Sequence, residues 1–224
     1  MENNNVGDMF RIMSDIKMTT CVNGSQALTL YGFAWYKMFC NKTAYYLDVG
    51  TRGGNSAIIL ASALKHHKTD ERGILSKVYT VDDYSQFLDK TKEEDIEAAK
   101  YNISQFGIDD MVTIHVGNDI EFVNSLPDNS IDMVFDDSFH SYYATGDRLN
   151  SYLPKLNDNS LVVVHDYYIN HPGVIKAVLD FTNDHKDIIF GLNYQDGMGW
   201  FFCKPNTSKY AFNFQRKPGE VFGF

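Results

Sequence analysis

Five short apolar runs, Ala44–Val49, Lys77–Val81, Met111–Val116, Ile131–Phe135 and Ser160–His165, are separated by longer stretches with helical apolar spacing. That alternation specifies a parallel sheet with crossover helices, because parallel neighbours cannot be joined by a tight turn. Helices are predicted near Asn55–His67, Lys92–Phe106, Asp119–Ser125, Tyr142–Leu156 and Pro172–Asp184, and Ser25–Cys40 suits a buried helix ahead of them. Asn55 or Ser56 suits a helix cap, and Pro172 a first helical turn. Asp187–Asn193 and Gly199–Lys204 read as two further strands around Gln195-Asp196-Gly197, a hairpin with a somewhat long loop. The expected fold is α/β: a Rossmann-like sandwich with helices on both faces. Its seven-stranded sheet is mostly parallel and closes with a C-terminal antiparallel hairpin, which dehydrogenase-type sheets usually lack.

At 224 residues the chain suits one such domain, expected over 25–205, with a polar arm or lid over 1–24 and an aromatic tail over 206–224. The tail is expected to pack on the domain or on a second subunit, which leaves a homo-oligomer open. The net charge of −9 argues against a nucleic-acid surface, which needs clustered Lys and Arg. Three widely spaced cysteines (Cys21, Cys40, Cys203) give no disulfide framework or zinc knuckle. The first residues do not read as a secretory signal, and no apolar run approaches bilayer-spanning length. The expectation is a cytoplasmic protein without a membrane partner.

The first strand runs into Asp48-Val49-Gly50-Thr51-Arg52-Gly53-Gly54-Asn55-Ser56. Glycines after a first strand let the backbone turn tightly and approach a ligand, and the amides of the next helix can receive a carboxylate. The segment is neither GxGxxG nor GK[ST], so dinucleotide and P-loop readings lack support. Asp48 would repel a pyrophosphate but not an ammonium or a sulfonium. A generic βα turn fits the segment equally well when it is read alone. The second strand ends in Asp82-Asp83, where Asp82 is placed to accept two ribose hydroxyls and Asp83 to cap the next segment. The third ends at Gly117-Asn118-Asp119, where Asn118 suits an adenine amino group. Three strand ends in order, each with a fitting group, favour an adenosyl cofactor.

In these segments the chain resembles the class I S-adenosylmethionine-dependent methyltransferases, over residues 25–205. Within them it is similar to the metal-dependent O-methyltransferase branch with cephalosporin-hydroxylase-like, rhamnosyl and macrolide-sugar O-methyltransferases. The resemblance implies S-adenosyl-L-methionine as cofactor, contacted by Asp48, Gly50, Thr51, Gly53, Gly54, Ser56, Asp82, Asn118 and Asp137. It also implies a small-molecule or glycan acceptor methylated on a hydroxyl, with a sugar preferred and a catechol-like diol second. A non-catalytic cofactor-binding module is the reading from another class.

The fourth and fifth strands end in Asp136-Asp137-Ser138-Phe139-His140-Ser141-Tyr142 and His165-Asp166-Tyr167. Carboxylates and an imidazole from neighbouring strand ends suit a divalent cation. An alcohol is a weak nucleophile until its proton leaves, so a cation and a base serve such a reaction. The first of these segments resembles the branch's Asp-x-x-His-Ser-Tyr element, which implies Asp137 as a metal ligand; Asp166 matches its second metal aspartate. His140 holds the place of the catalytic lysine of catechol O-methyltransferases and is the candidate general base. His165 stands where relatives carry a carboxylate, either as third ligand or as a partner behind the ligands, and the metal is Mg²⁺ or Mn²⁺. Asp136 is expected to cap the next helix. His66, His67, His115, His171 and His185 are expected to be surface or core residues.

Overall fold

The computed structural model describes residues 22–40, 43–65, 75–85 and 91–203. The arm over 1–24, save its last three residues, and the tail over 206–224 lie outside them, as do His66 and His67. The elements run α1 (Gly24–Cys40), β1 (Tyr45–Val49), α2 (Asn55–Lys65), β2 (Lys77–Asp82), α3 (Lys92–Gln105), β3 (Val112–Val116) and α4 (Asp119–Ser125). Then come β4 (Ile131–Asp136), α5 (Tyr142–Tyr152), β5 (Leu156–Val164), α6 (Pro172–Asp184), β6 (Ile189–Gln195) and β7 (Met198–Cys203). No helix among the described residues is long and apolar enough to cross a membrane.

One seven-stranded sheet has the order β3-β2-β1-β4-β5-β7-β6. The pairings from β3 through β5 are parallel, and β7 runs antiparallel to both β5 and β6. Side chains alternate between two cores, as a sheet covered on both faces requires. Tyr46, Met133, Phe135, Leu161 and Val163 face α1, α2 and α3. Leu47, Val134, Val162 and Val164 face α4, α5 and α6 through Val123, Leu149, Tyr152, Val174 and Phe181. Each fully buried aliphatic side chain contributes about 1.5–3 kcal/mol, so the two cores supply the main drive for this layering.

Two local expectations need correction. The helix expected over Tyr142–Leu156 stops at Tyr152 and continues as a 3-10 turn over Leu153–Lys155, because Pro154 has no N–H for the α-helical ladder. β5 therefore starts at Leu156, earlier than expected. The closing hairpin has no long loop. β6 and β7 extend until Gln195 pairs with Met198, leaving Asp196 (φ 51°) and Gly197 (φ 79°) as the turn. Two consecutive positive φ angles are what a right-twisted two-residue hairpin needs, and Asp-Gly supplies them cheaply. The turn is anchored near the site: Tyr167 N donates to Gly197 O at 2.8 Å, and Gln26 Nε2 to Asp196 O at 2.6 Å.

The chain proceeds outward from β1 to β2 and β3, then returns to place β4 on β1's other side. Strand order thus reverses between β1 and β4. In open α/β sheets the crevice beyond the carboxyl ends at such a reversal is where ligands bind. The Asp48–Ser56 turn and the ends of β4 and β5 all lie on that edge.

Candidate active site

The glycine turn is dictated first by the protein's own backbone. Gly50 has φ 99°, and a Cβ there would lie 2.7 Å from the Asp137 carbonyl carbon, where β4 passes alongside. Gly50 N donates to Val81 O and Asp137 N to Val49 O, so three strand ends are stitched together at this point. Gly54 has φ 83° and rests on Ala99 and Ile103 of α3. At Gly53 a Cβ would meet nothing closer than 3.6 Å, so that residue is the one whose bareness the protein itself does not demand.

Asp48 lies fully buried beneath the turn. Thr80, its register partner on β2, donates from Oγ1 to Asp48 Oδ2 at 2.6 Å and also hydrogen-bonds Thr51 Oγ1. The nearby Ser56 side chain also favours the charged carboxyl group, while Oδ1 has no hydrogen-bond partner. Burial pushes the carboxyl up to about 7 against those contacts, with Asp137 and Asp82 adding to the rise. A buried acid held near its titration point gains from a nearby cation.

Asp82 is fixed by two amides: Arg52 N donates to Oδ2 at 2.9 Å and Tyr84 N to Oδ1 at 2.7 Å. Asp83 holds Ser85, accepting from its N and Oγ. Asn118 caps α4, its Oδ1 accepting from Glu121 N at 2.9 Å. Its Oδ1 is committed to the helix, so the remaining side-chain group is an amide nitrogen, a donor that suits an adenine ring nitrogen and not the amino group expected from sequence. Asp82, Asn118, Ser138, Phe139, Tyr143 and Arg148 line a cleft of about 410 Å³ along these strand ends.

Beyond β4 and β5 four expected residues converge. His165 Nδ1 lies 2.9 Å from Asp137 Oδ1, and His140 Nε2 lies 2.8 Å from Asp166 Oδ2 and 3.6 Å from Asp137 Oδ1. The His140–Asp166 contact is close but not aligned as a hydrogen bond, and His165 Nε2 has no hydrogen-bond partner. Asp166 has φ 54°, a left-handed conformation uncommon outside glycine, asparagine and aspartate. Burial works against a charged His140, but Asp137 and Asp166 outweigh it and push the imidazole up to about 9. The same balance pushes His165 up to about 10. Burial would raise both acids, yet their histidine partners hold them below the usual carboxylate range. Neutralising the two carboxylates removes what keeps the imidazoles protonated.

Asp136 does not cap α5; Ser141 does, accepting from Ala144 N at 3.1 Å. Instead Asp136 is buried against Arg148, whose Nε lies 3.0 and 2.9 Å from its two oxygens, with Tyr152 OH donating at 3.0 Å. Arg148 also donates to Phe139 O at 2.9 Å, fixing the loop that carries Asp137 and His140. Sequence reading misses Thr80, Arg148 and His171. Thr80 and Arg148 are marked only by being polar residues on apolar faces. The His171 ring sits 4.8 Å from that of His140, at the start of α6 rather than at a strand end.

The described fold coincides with that of a known family. Residues 47–167 match the family model described as "Methyltransferase domain". The chain belongs to that methyltransferase family. No curated protein sequence matches it. The O-methyltransferase NovP superposes with a TM-score of 0.66 at 14% identity, over 84% of this chain and 82% of NovP. TomG of Streptomyces achromogenes, an O-methyltransferase of tomaymycin synthesis solved with SAM, gives 0.60 at 18% identity over 91% of both chains. A Bacillus cereus O-methyltransferase solved with SAH gives 0.60 at 15%, over 89% of this chain and 90% of that one. At these identities the structural likeness fixes the fold, and nothing finer.

Proposed function

We propose that this methyltransferase transfers the methyl group of S-adenosylmethionine to a hydroxyl oxygen. Asp137, His165 and Asp166 would hold a divalent cation, and His140 takes the hydroxyl proton. The observation that carries this reading is the convergence of those four side chains beside the glycine turn where strand order reverses.

The cofactor assignment is supported residue by residue. Asp48 offers a buried, unpartnered oxygen below the turn, which favours a cationic amino acid end over a phosphate. Asp82 is oriented by two amides, and each oxygen keeps a lone pair for a ribose hydroxyl. NovP, TomG and the B. cereus protein carry the O-methyltransferase name, and two were solved with SAM or SAH, which agrees with this reading.

The donor set fits a divalent cation: ligand atoms of Asp137, His165 and Asp166 all lie within 4.8 Å of one another. Mg²⁺ or Mn²⁺ bound there would lower the pKa of an acceptor hydroxyl. His140 borders both carboxylates, which supports it as the base that takes the proton. S-adenosylmethionine bound at the glycine turn would supply the methyl group to the acceptor oxygen, its sulfur keeping the electron pair of the broken carbon–sulfur bond. The acceptor class we favour is a sugar or glycoside hydroxyl, with a catechol-like diol second, as the Asp137–Tyr142 element suggests.

Calorimetry with S-adenosylmethionine and its demethylated product, before and after chelation, tests the assignment, together with a panel of glycosides and diols. Micromolar cofactor binding with cation-dependent transfer is expected. Binding of neither compound would remove the methyltransferase reading. Binding without transfer to any acceptor would leave a binding module.

A further inference from the structure

His171 is expected from sequence to be a surface or core residue, yet its position is built. Gly173 allows the N-termini of α5 and α6 to meet: a Cβ there would lie 2.8 Å from Tyr142 N and 3.4 Å from the Ser141 carbonyl carbon. Tyr142 OH donates to Asp180 Oδ2 at 2.8 Å and pins the two helices together. His171 precedes α6, its N–H donating to Tyr168 O at 2.8 Å, with the Tyr168 ring edge-on to the imidazole. His140 stands just before α5. Close helix starts therefore put two imidazoles 4.8 Å apart between centroids, tilted by 55° rather than stacked.

Asp166 joins them. Ligand atoms of His140, Asp166 and His171 all lie within 4.8 Å of one another. This triple overlaps the Asp137–His165–Asp166 group at Asp166 alone and forms a second, adjoining donor set. Two imidazole nitrogens and one carboxylate oxygen match the borderline ions, above all Zn²⁺, and match Mg²⁺ poorly. Tetrahedral ligands at zinc distances stand about 3.3 Å apart, so the 2.8 Å His140–Asp166 contact needs only a small opening. His140 and His171 are both half-buried, which leaves a coordination position open to solvent.

We propose that His140, Asp166 and His171 form a second cation site, selective for Zn²⁺-type ions, whose occupation withdraws His140 from proton transfer and inhibits the enzyme. The inhibition rests on the role proposed above for His140; the site itself does not.

The test uses the full chain with saturating Mg²⁺, comparing wild type with His171→Asn, which keeps a residue suited to a helix start. Cobalt(II) is titrated and followed by its visible d–d absorption, then displaced by zinc; in parallel, zinc inhibition of methyl transfer is measured. Wild type is expected to show bands of a nitrogen-ligated cobalt and to be inhibited by zinc. In His171→Asn the cobalt affinity and the zinc inhibition, the latter measured against that variant's own zinc-free activity, should each weaken at least about tenfold. His171→Gln, matched to wild type by thermal melt, should behave the same. Unchanged cobalt spectra and affinity in both variants would overturn the site. Altered spectra with unchanged zinc inhibition would overturn its inhibitory role. If no acceptor is turned over at all, the function proposed above fails, while the spectra still decide whether the site exists.

Discussion

Gly50 and Asp137 press backbone against backbone: the space a Gly50 side chain would fill is taken by the Asp137 carbonyl group. One residue thus couples the turn proposed to hold the cofactor to the strand end that carries the proposed metal-binding acids. Gly50→Ala must escape both that overlap and φ 99°, and the dihedral alone costs about 1–3 kcal/mol. The variant should melt lower and lose binding of the demethylated cofactor. Gly53→Ala, with no contact under 3.6 Å, should keep wild-type stability and lose binding only. Thermal melts beside calorimetry separate the two, and equal destabilisation of both would contradict this difference in role.

Asp48 is a stability cost retained at the proposed cofactor site. Its folded pKa, about 7, lies above the ordinary carboxylate value of 3.8 because burial opposes charge. The folded protein therefore holds an extra proton between those values. Stability falls as pH rises from about 4 to 7, and the full cost is present above 7. Asp48→Asn should be more stable than wild type at pH 8, by an amount on the order of a few kcal/mol. The gain should vanish below about pH 4, and cofactor affinity should drop throughout. Denaturant melts across pH read this, and a pH-independent difference would sink it.

The layering and the site edge are legible in the sequence because they depend on local pattern. Apolar runs of strand length mark β1 to β5, and the acids at or just past their carboxyl ends are Asp48, Asp82, Asp137 and Asp166. The hairpin turn is harder to read because Asp196-Gly197 sits inside a longer polar stretch, although that dipeptide suits a two-residue turn by itself. Asp136 and Arg148 are twelve residues apart and meet only because α5 folds back over β4. His171 meets His140 through the Gly173 helix contact. Such pairings are tertiary, and no spacing along the chain encodes them.

Arg148 should be structural in magnitude and functional in consequence. It is buried on Asp136 and also holds Phe139 O, so Arg148→Met leaves a buried carboxylate without its cation. Losing one partner of such a pair costs about 3–5 kcal/mol. The double variant Asp136→Asn with Arg148→Met should recover part of that loss. Denaturant unfolding checks both, and a single variant as stable as wild type would show that the pair is not coupled.

Cation binding at Asp137 and Asp166 should expel protons. In the cation-free protein those acids push His140 up to about 9 and His165 up to about 10, against burial. Both folded values exceed the ordinary 6.5, so the stability these contacts contribute is full below about pH 6.5. It is lost as pH rises through 9 to 10. Asp166→Asn should flatten that alkaline decline. At about pH 7.5 the imidazoles are protonated, and a cation that claims their carboxylate partners must displace those protons. Calorimetric titration of Mn²⁺ in two buffers of different ionisation enthalpy should show about one or more protons released per cation. Asp166→Asn should release fewer, and binding with no buffer dependence would mean that the cation does not sit among these four residues.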